Sequence, residues 1–208
     1  MDETADEPAT ERAPGRFAVS ARDLTQAAVF AALLAALGLP GTISVGPTGV
    51  PITVQTLGVM LAGSILGARK GALAIALFSV LAIAGLPILA GARTGLVALA
   101  SPTAGFFVAW LPAVLIIGGL TARMMPRYGA VRGFLINVFG GMAIIYAFGA
   151  TGLMLRTDLS WWAALATCGV YLPGDIVKAG VTALVAAQVH RAWPGLIPRR
   201  RAAEAVDG

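Results

Sequence analysis

Residues 52–90 read ITVQTLGVMLAGSILGARKGALAIALFSVLAIAGLPILA, and Arg69 and Lys70 are the only charged side chains among them. An α-helix needs about 20 consecutive apolar residues to cross a bilayer. The stretch therefore has room for two crossings, 52–68 and 71–90, with the two cations at the turn between them. In hydrocarbon the backbone N–H and C=O groups must find partners within the protein, and a helix satisfies them within its own segment.

Working outward, further apolar runs lie at about 24–39, 103–122, 133–155 and 160–190. The last is too long for one straight span. Pro173 and Gly174 divide it, and proline is well placed in the first turn of a helix. An interfacial or re-entrant piece is predicted at 160–171, headed by Trp161 and Trp162, with the final span over 173–190. The predicted fold class is all-α and integral to the membrane: a six-transmembrane-helix bundle over residues 21–192. Residues 1–20 hold five of the ten acids and read as a disordered tail, and 193–208 as a basic tail. No basic segment leads into a short apolar core with a small-residue cleavage site, so no removable leader is expected. Residues 41–53, GTISVGPTGVPIT, are too rich in Gly, Pro and Thr for a helix in lipid and are expected to form a short hairpin or a lid.

The composition agrees with a membrane class. Hydrophobic residues make up 58% of the chain and charged residues 12%, about half the charged share of an ordinary soluble domain. Mean hydropathy is +0.83. The net charge of +5 does not point to nucleic acid, because the cations fall in short groups between apolar runs and form no stripe. Those groups instead suggest an orientation. With the N-terminus inside, cytoplasmic segments hold Arg12, Arg16 and Arg22; Arg69 and Lys70; Arg123, Arg127 and Arg132; and Arg191, Arg199, Arg200 and Arg201. That is 12 of the 15 cations. Only Arg93 and Arg156 fall outside, while Lys178 lies in the last span. This follows the positive-inside rule and predicts a multi-pass protein of a bacterial-type cell membrane with both termini cytoplasmic.

Chemistry-bearing residues are few. Cys168 lies in an apolar stretch and reads as a small buried hydrophobe. The single histidine, His190, cannot build a metal site by itself. No phosphate-binding loop, nucleophile elbow, zinc-protease motif or paired carboxylates appear, so neither catalysis nor a cofactor is expected. Between Leu24 and Ala203 the only acids are Asp158, in an outside loop, and Asp175, which opens the last span in YLPGDIVKAG. Lys178 follows Asp175 by three residues, on the same helical face. An ionisable group within the membrane is costly unless paired or wetted, and so marks either a functional site or a structural ion pair. Arg93, in GARTG (91–95), can grip an anion bidentately or sit at the interface as an isolated cation. Together these residues describe a shallow pocket open to the exterior beneath 41–53. In the first span, Ala28, Ala32 and Ala36 repeat every four residues, as do Ala27, Ala31 and Ala35. Such spacing suits close helix packing, internal or against a partner. Gly67 and Gly71 share the spacing but straddle the turn at Arg69.

The runs VPITVQTLGVMLAGSILGARKGALA, AIAGLPILAGARTGLVALASPTAGFFVAW and YLPGDIVKAG resemble the BioY family, the biotin-binding S components of energy-coupling factor (ECF) transporters. The likeness extends over about 24–190. It implies a six-helix bundle that captures biotin at the outer face, partnered in the lipid bilayer by a transmembrane T component and two ATPase subunits that drive delivery inward. By motif position, Asp175 and Lys178 would hold biotin's polar bicyclic head or its carboxylate. Arg93 matches the family's loop arginine, and Gln55 and Tyr171 match neighbouring positions. The alanines Ala27, Ala28, Ala31, Ala32 and Ala36 match the small-residue face toward the T component. The family's loop commonly reads GGRGG, whereas here Ala92 and Thr94 replace two glycines, and both are less free at positive φ. Alternatives are an S component for another small vitamin, a biotin transporter that works alone, and, from other classes, a membrane enzyme or a structural membrane protein.

Overall fold

The structure, a computed structural model, describes residues 19–44 and 51–197. The expected terminal tails fall mostly outside the described residues, as does the middle of the 41–53 loop.

The described chain is almost wholly helical. Helix α1 (Ala21–Ala36) starts at a capping box, in which Ser20 Oγ accepts from the Asp23 amide and the Asp23 carboxylate accepts from the Ser20 amide. A two-residue antiparallel ladder then pairs Ile43–Ser44 with Pro51–Ile52, the hairpin that the 41–53 composition suggested. Helix α2 (Gln55–Leu61) runs into a π-helical turn (Ala62–Leu66), and α3 (Gly67–Ile83) follows.

The chain reverses between α2 and α3. Gly67 has φ +79°, and a Cβ placed on Gly71 would lie 2.9 Å from the Ala62 carbonyl oxygen. Nine residues of straight helix would separate that pair by about 13 Å. The turn therefore sits at Gly67, and Arg69 and Lys70 belong to the first turn of α3. Gly71 allows this hairpin to close, since its missing Cβ would also meet Val114 at 2.8 Å.

The third apolar run stays helical only to Ile83. Gly85 at φ +109° and Pro87 end the helix, and 84–94 forms a loop. A short helix not anticipated from the apolar runs follows, α4 (Gly95–Ala100), and the predicted 103–122 run then forms α5 (Ala104–Val108) and α6 (Trp110–Met124). Next come α7 (Ala130–Ile136), a π-helical turn (Asn137–Met142) and α8 (Ala143–Arg156). The final stretch divides where Pro173 suggested: α9 (Trp161–Thr167), a 3-10 turn (Cys168–Tyr171), then α10 (Leu172–Ala192). The packed body continues to Ile197, which is buried beside Gly67.

By length and composition four continuous helical stretches could cross a membrane: Gln55–Ile83, which doubles back at Gly67, Ala104–Met124, Ala130–Arg156 and Trp161–Ala192. The chain is a multi-pass membrane protein, and α10 shows the membrane pattern plainly. Its buried face carries Asp175, Thr182 and His190 between Ala179, Ala183 and Ala186, while Val177, Leu184 and Val185 face outward. A soluble helix would place its polar groups on the outside. The core that these helices enclose centres on Leu34, Met60, Phe78, Val114 and Ile117.

Candidate functional site

One cavity takes its walls from segments far apart in sequence, none of them α1, α3 or α9. Thr53, Gln55 and Thr56 come from the start of α2, Arg93 from the 84–94 loop, and Ala98 and Thr103 from α4 and the turn after it. Phe106, Phe107 and Trp110 come from α5 and α6, Ile145 and Tyr146 from α8, and Tyr171, Asp175 and Lys178 from the head of α10. Its empty volume is about 640 Å³, a figure that includes open solvent at its mouth.

At one end, Asp175 and Lys178 form an ion pair, Oδ1 to Nζ 2.7 Å. Lys178 Nζ also donates to the Thr53 carbonyl (2.6 Å) and to Thr56 Oγ1 (3.0 Å), so its three N–H groups are all used. Thr56 Oγ1 in turn donates to Asp175 Oδ1 (3.4 Å), and the Tyr146 hydroxyl donates to Asp175 Oδ2 (2.7 Å). The pair is thus locked to α2 and α8, and Asp175 Oδ2 retains acceptor capacity toward the cavity.

Arg93 lines the same cavity from the 84–94 loop. Leu89 and Arg93 exchange backbone hydrogen bonds (3.1 Å each), closing a tight turn in which Gly91 (φ 77°) and Ala92 (φ 54°) both adopt positive φ. Among the described residues Ala92 is the only non-glycine with positive φ. Alanine, less free there than glycine, thus occupies one of the two positive-φ positions of the turn. The guanidinium donates from Nε to the Ala90 carbonyl (3.2 Å) and from Nη1 to Thr103 Oγ1 (3.3 Å). Of its five N–H groups, three have no partner among the described residues. Burial pulls its pKa below the ordinary guanidinium value, and the group remains charged. Two cations and one acid give the lining a net charge of +1, which suits a monoanion.

Gln55 lines this cavity but spends its amide on the fold. Nε2 donates to the carbonyls of Leu34 and Ile88 (3.0 Å each), and Oε1 accepts from the Ala90 amide (2.8 Å). It ties α1 to the loop that carries Arg93. Tyr171 is buried, with its ring edge-on to Phe106 at 6.1 Å. The two alanine rows of α1 separate. Ala27 and Ala31 are buried in the chain's own core, whereas Ala28, Ala32 and Ala36 are exposed on the other side, away from the cavity. Tyr146, Thr56 and Thr103 were not singled out from sequence. A tyrosine within the apolar run 133–155 was the available signal for the first.

The BioY family profile matches residues 9–195. The chain belongs to the BioY family. It is 43% identical over 187 residues to the biotin transporter BioY of Rhizobium etli, an alignment covering 88% of this chain and all of that one. It is 42% identical over 188 residues to the biotin transporter BioY of Rhodobacter capsulatus, covering 86% and 98%. Among solved structures, the S-component for biotin from an ECF-type ABC transporter superposes with a TM-score of 0.79 at 27% identity, covering 84% of this chain and 95% of that one. The BioY relatives are transporters, which accords with the absence of catalytic motifs in the sequence.

Proposed function

We propose that this chain is the biotin-binding subunit of a vitamin uptake transporter, capturing biotin at the outer membrane face. The observation that carries the reading is the pairing of polar groups within one mostly apolar cavity. Arg93, with unspent donors, lines it together with a network in which Asp175 Oδ2 still accepts. Biotin carries a carboxylate at one end, a urea at the other and an apolar thioether ring between. The carboxylate meets Arg93, a urea N–H meets Asp175, and Phe106, Phe107 and Trp110 cover the ring. Lys178 acts mainly by orienting Asp175, and Gln55 by holding the Arg93 loop.

In the membrane we read six spans: α1, residues 55–66, α3, residues 104–124, residues 130–156 and α10. The 55–66 piece reaches only about 18 Å at 1.5 Å per residue, and its hairpin ladder continues it toward the outer face. The cation distribution supports an orientation with both termini in the cytoplasm. A reporter fused after Gly208 should behave as intracellular, and one inserted within 41–50 as exterior. Delivery inward is assigned to a T component and two ATPase subunits, docking on the exposed row Ala28, Ala32 and Ala36.

The test is saturable binding of labelled biotin to the purified full chain in lipid nanodiscs. Unlabelled biotin should displace the label and other vitamins should not. Absence of saturable binding, or equal displacement by a different vitamin, overturns the reading. Uptake in vesicles lacking the partner subunits would reassign delivery to this chain alone.

A further inference from the structure

We propose that Arg156 is a positioning residue for Arg93, acting through α4 and Thr103. This rests on the reading of Arg93 as the carboxylate donor.

Arg156 is the last residue of α8 and lies outside the cavity lining. Its exposed guanidinium forks onto the end of α4, donating from Nη1 to the Ala100 carbonyl (2.9 Å) and from Nη2 to the Leu99 carbonyl (3.0 Å). The last carbonyls of any helix lack partners within it, and a cation there meets both the orphan acceptors and the negative end of the helix dipole. For α4 this is significant because the helix has only six residues and little cooperative stability of its own.

Helix α4 is also the middle of a closed circuit. It begins at Thr94, whose side chain caps it, directly after Arg93. At its other end the Ala98 carbonyl accepts from the Ser101 hydroxyl (2.8 Å), and the Ser101 and Thr103 hydroxyls are 2.7 Å apart. Thr103 Oγ1 then receives Arg93 Nη1. The position of the guanidinium is therefore set from two sides: by the 89–93 turn through the backbone, and by α4 through Thr103. Arg156 connects the second side to α8, the helix that also supplies Tyr146 to Asp175. One element is thereby tied to both the Arg93 and the Asp175 parts of the site. Lysine in its place would keep the charge but lose the two-carbonyl fork.

The experiment uses the full chain in nanodiscs with Arg156→Ala, Arg156→Lys, Arg93→Ala and the Arg93→Ala/Arg156→Ala double variant, against biotin and uncharged biotin amide. Affinities are corrected for the active fraction. Arg156→Ala should weaken biotin about tenfold, the scale of one displaced charge-assisted hydrogen bond, and biotin amide less than about twofold. In the Arg93→Ala background the same change should have no further effect on biotin. Equal weakening of both ligands, or a full additional loss without Arg93, overturns the proposal. Hydrogen exchange of the ligand-free protein supplies a readout independent of biotin. In Arg156→Ala, and in Arg156→Lys should the alanine variant fail to fold, protection should fall in 95–103 and also in 89–94. Loosening confined to 95–103 overturns the link to Arg93 whether or not biotin binds. Failure of the unmodified chain to bind biotin counts against the functional reading alone.

Discussion

Replacing Asp175 with asparagine keeps the side chain's size and removes its charge. The remaining oxygen can still face Lys178 and Thr56, and the new amide can donate to the Tyr146 oxygen. Shape and connectivity survive while two charge-assisted bonds of 2.7 Å become neutral or one-sided. Each such bond is worth about 1.5–3 kcal/mol against about 0.5–1.5 kcal/mol for a neutral one, so the two together lose about 2 kcal/mol. Lys178 is also left without its counter-charge. Breaking a fully buried pair costs about 3–5 kcal/mol, but these side chains retain 8% and 13% exposure beside an open cavity. The expected loss of stability is therefore about 2–4 kcal/mol, or about 5–15 °C in apparent melting temperature. Tryptophan-fluorescence melting in detergent, run on Asp175→Asn, Lys178→Met and the double variant, measures it. The double variant should recover at least about 1.5 kcal/mol relative to the sum of the singles. Additivity within about 0.5 kcal/mol would refute the ion pair as an energetic unit. Labelled biotin measured on the same preparations separates the two roles of the carboxylate. Wild-type affinity in folded Asp175→Asn would refute its contact with ligand.

Substitutions in three other places, the α1 alanine rows, Gln55 and Ala92, probe the frame around the site. Ala28→Trp or Ala32→Trp, on the exposed row, should leave biotin binding and melting near normal while weakening association with a T component in pull-down. Ala31→Trp, buried at 4% exposure, should instead destabilise the chain by about 1–3 kcal/mol through overpacking; the same result from both rows would dissolve the distinction. Gln55→Leu strands the carbonyls of Leu34 and Ile88 and the Ala90 amide, costing about 2–4 kcal/mol in melting or denaturant assays; a loss of affinity with stability unchanged would make Gln55 a ligand contact instead. At Ala92, with φ 54°, the order of stability should be glycine at or above alanine, and valine lower by about 1 kcal/mol or more, because a β-branched residue is strained there. A valine variant as stable as the parent would show that the turn adopts another conformation.

Class and general architecture were legible in the residues because the membrane imposes a one-dimensional rule. A run such as 103–122 or 133–155 must be helical wherever it lies, as its backbone has no water to bond. Asp175 and Lys178 stood out for the same reason: charge in an apolar run is costly enough to demand an explanation, and the explanation found is a 2.7 Å pair. What a side chain does with its hydrogen bonds was not legible, because that depends on neighbours distant in sequence. Gln55 lies in a motif beside the cavity, yet its amide is consumed by backbone at Leu34, Ile88 and Ala90. Ala27 and Ala28 are adjacent and chemically identical, and only the packing of α1 sends one into the core and leaves the other exposed. Tyr146 looked like one more residue of an apolar span until α8 brought its hydroxyl onto Asp175. Sequence determined which segments are apolar enough for a membrane and which charges need partners. The tertiary structure alone decided the pairings, since a hydrogen bond is fixed by distances of a few tenths of an ångström between helices far apart along the chain.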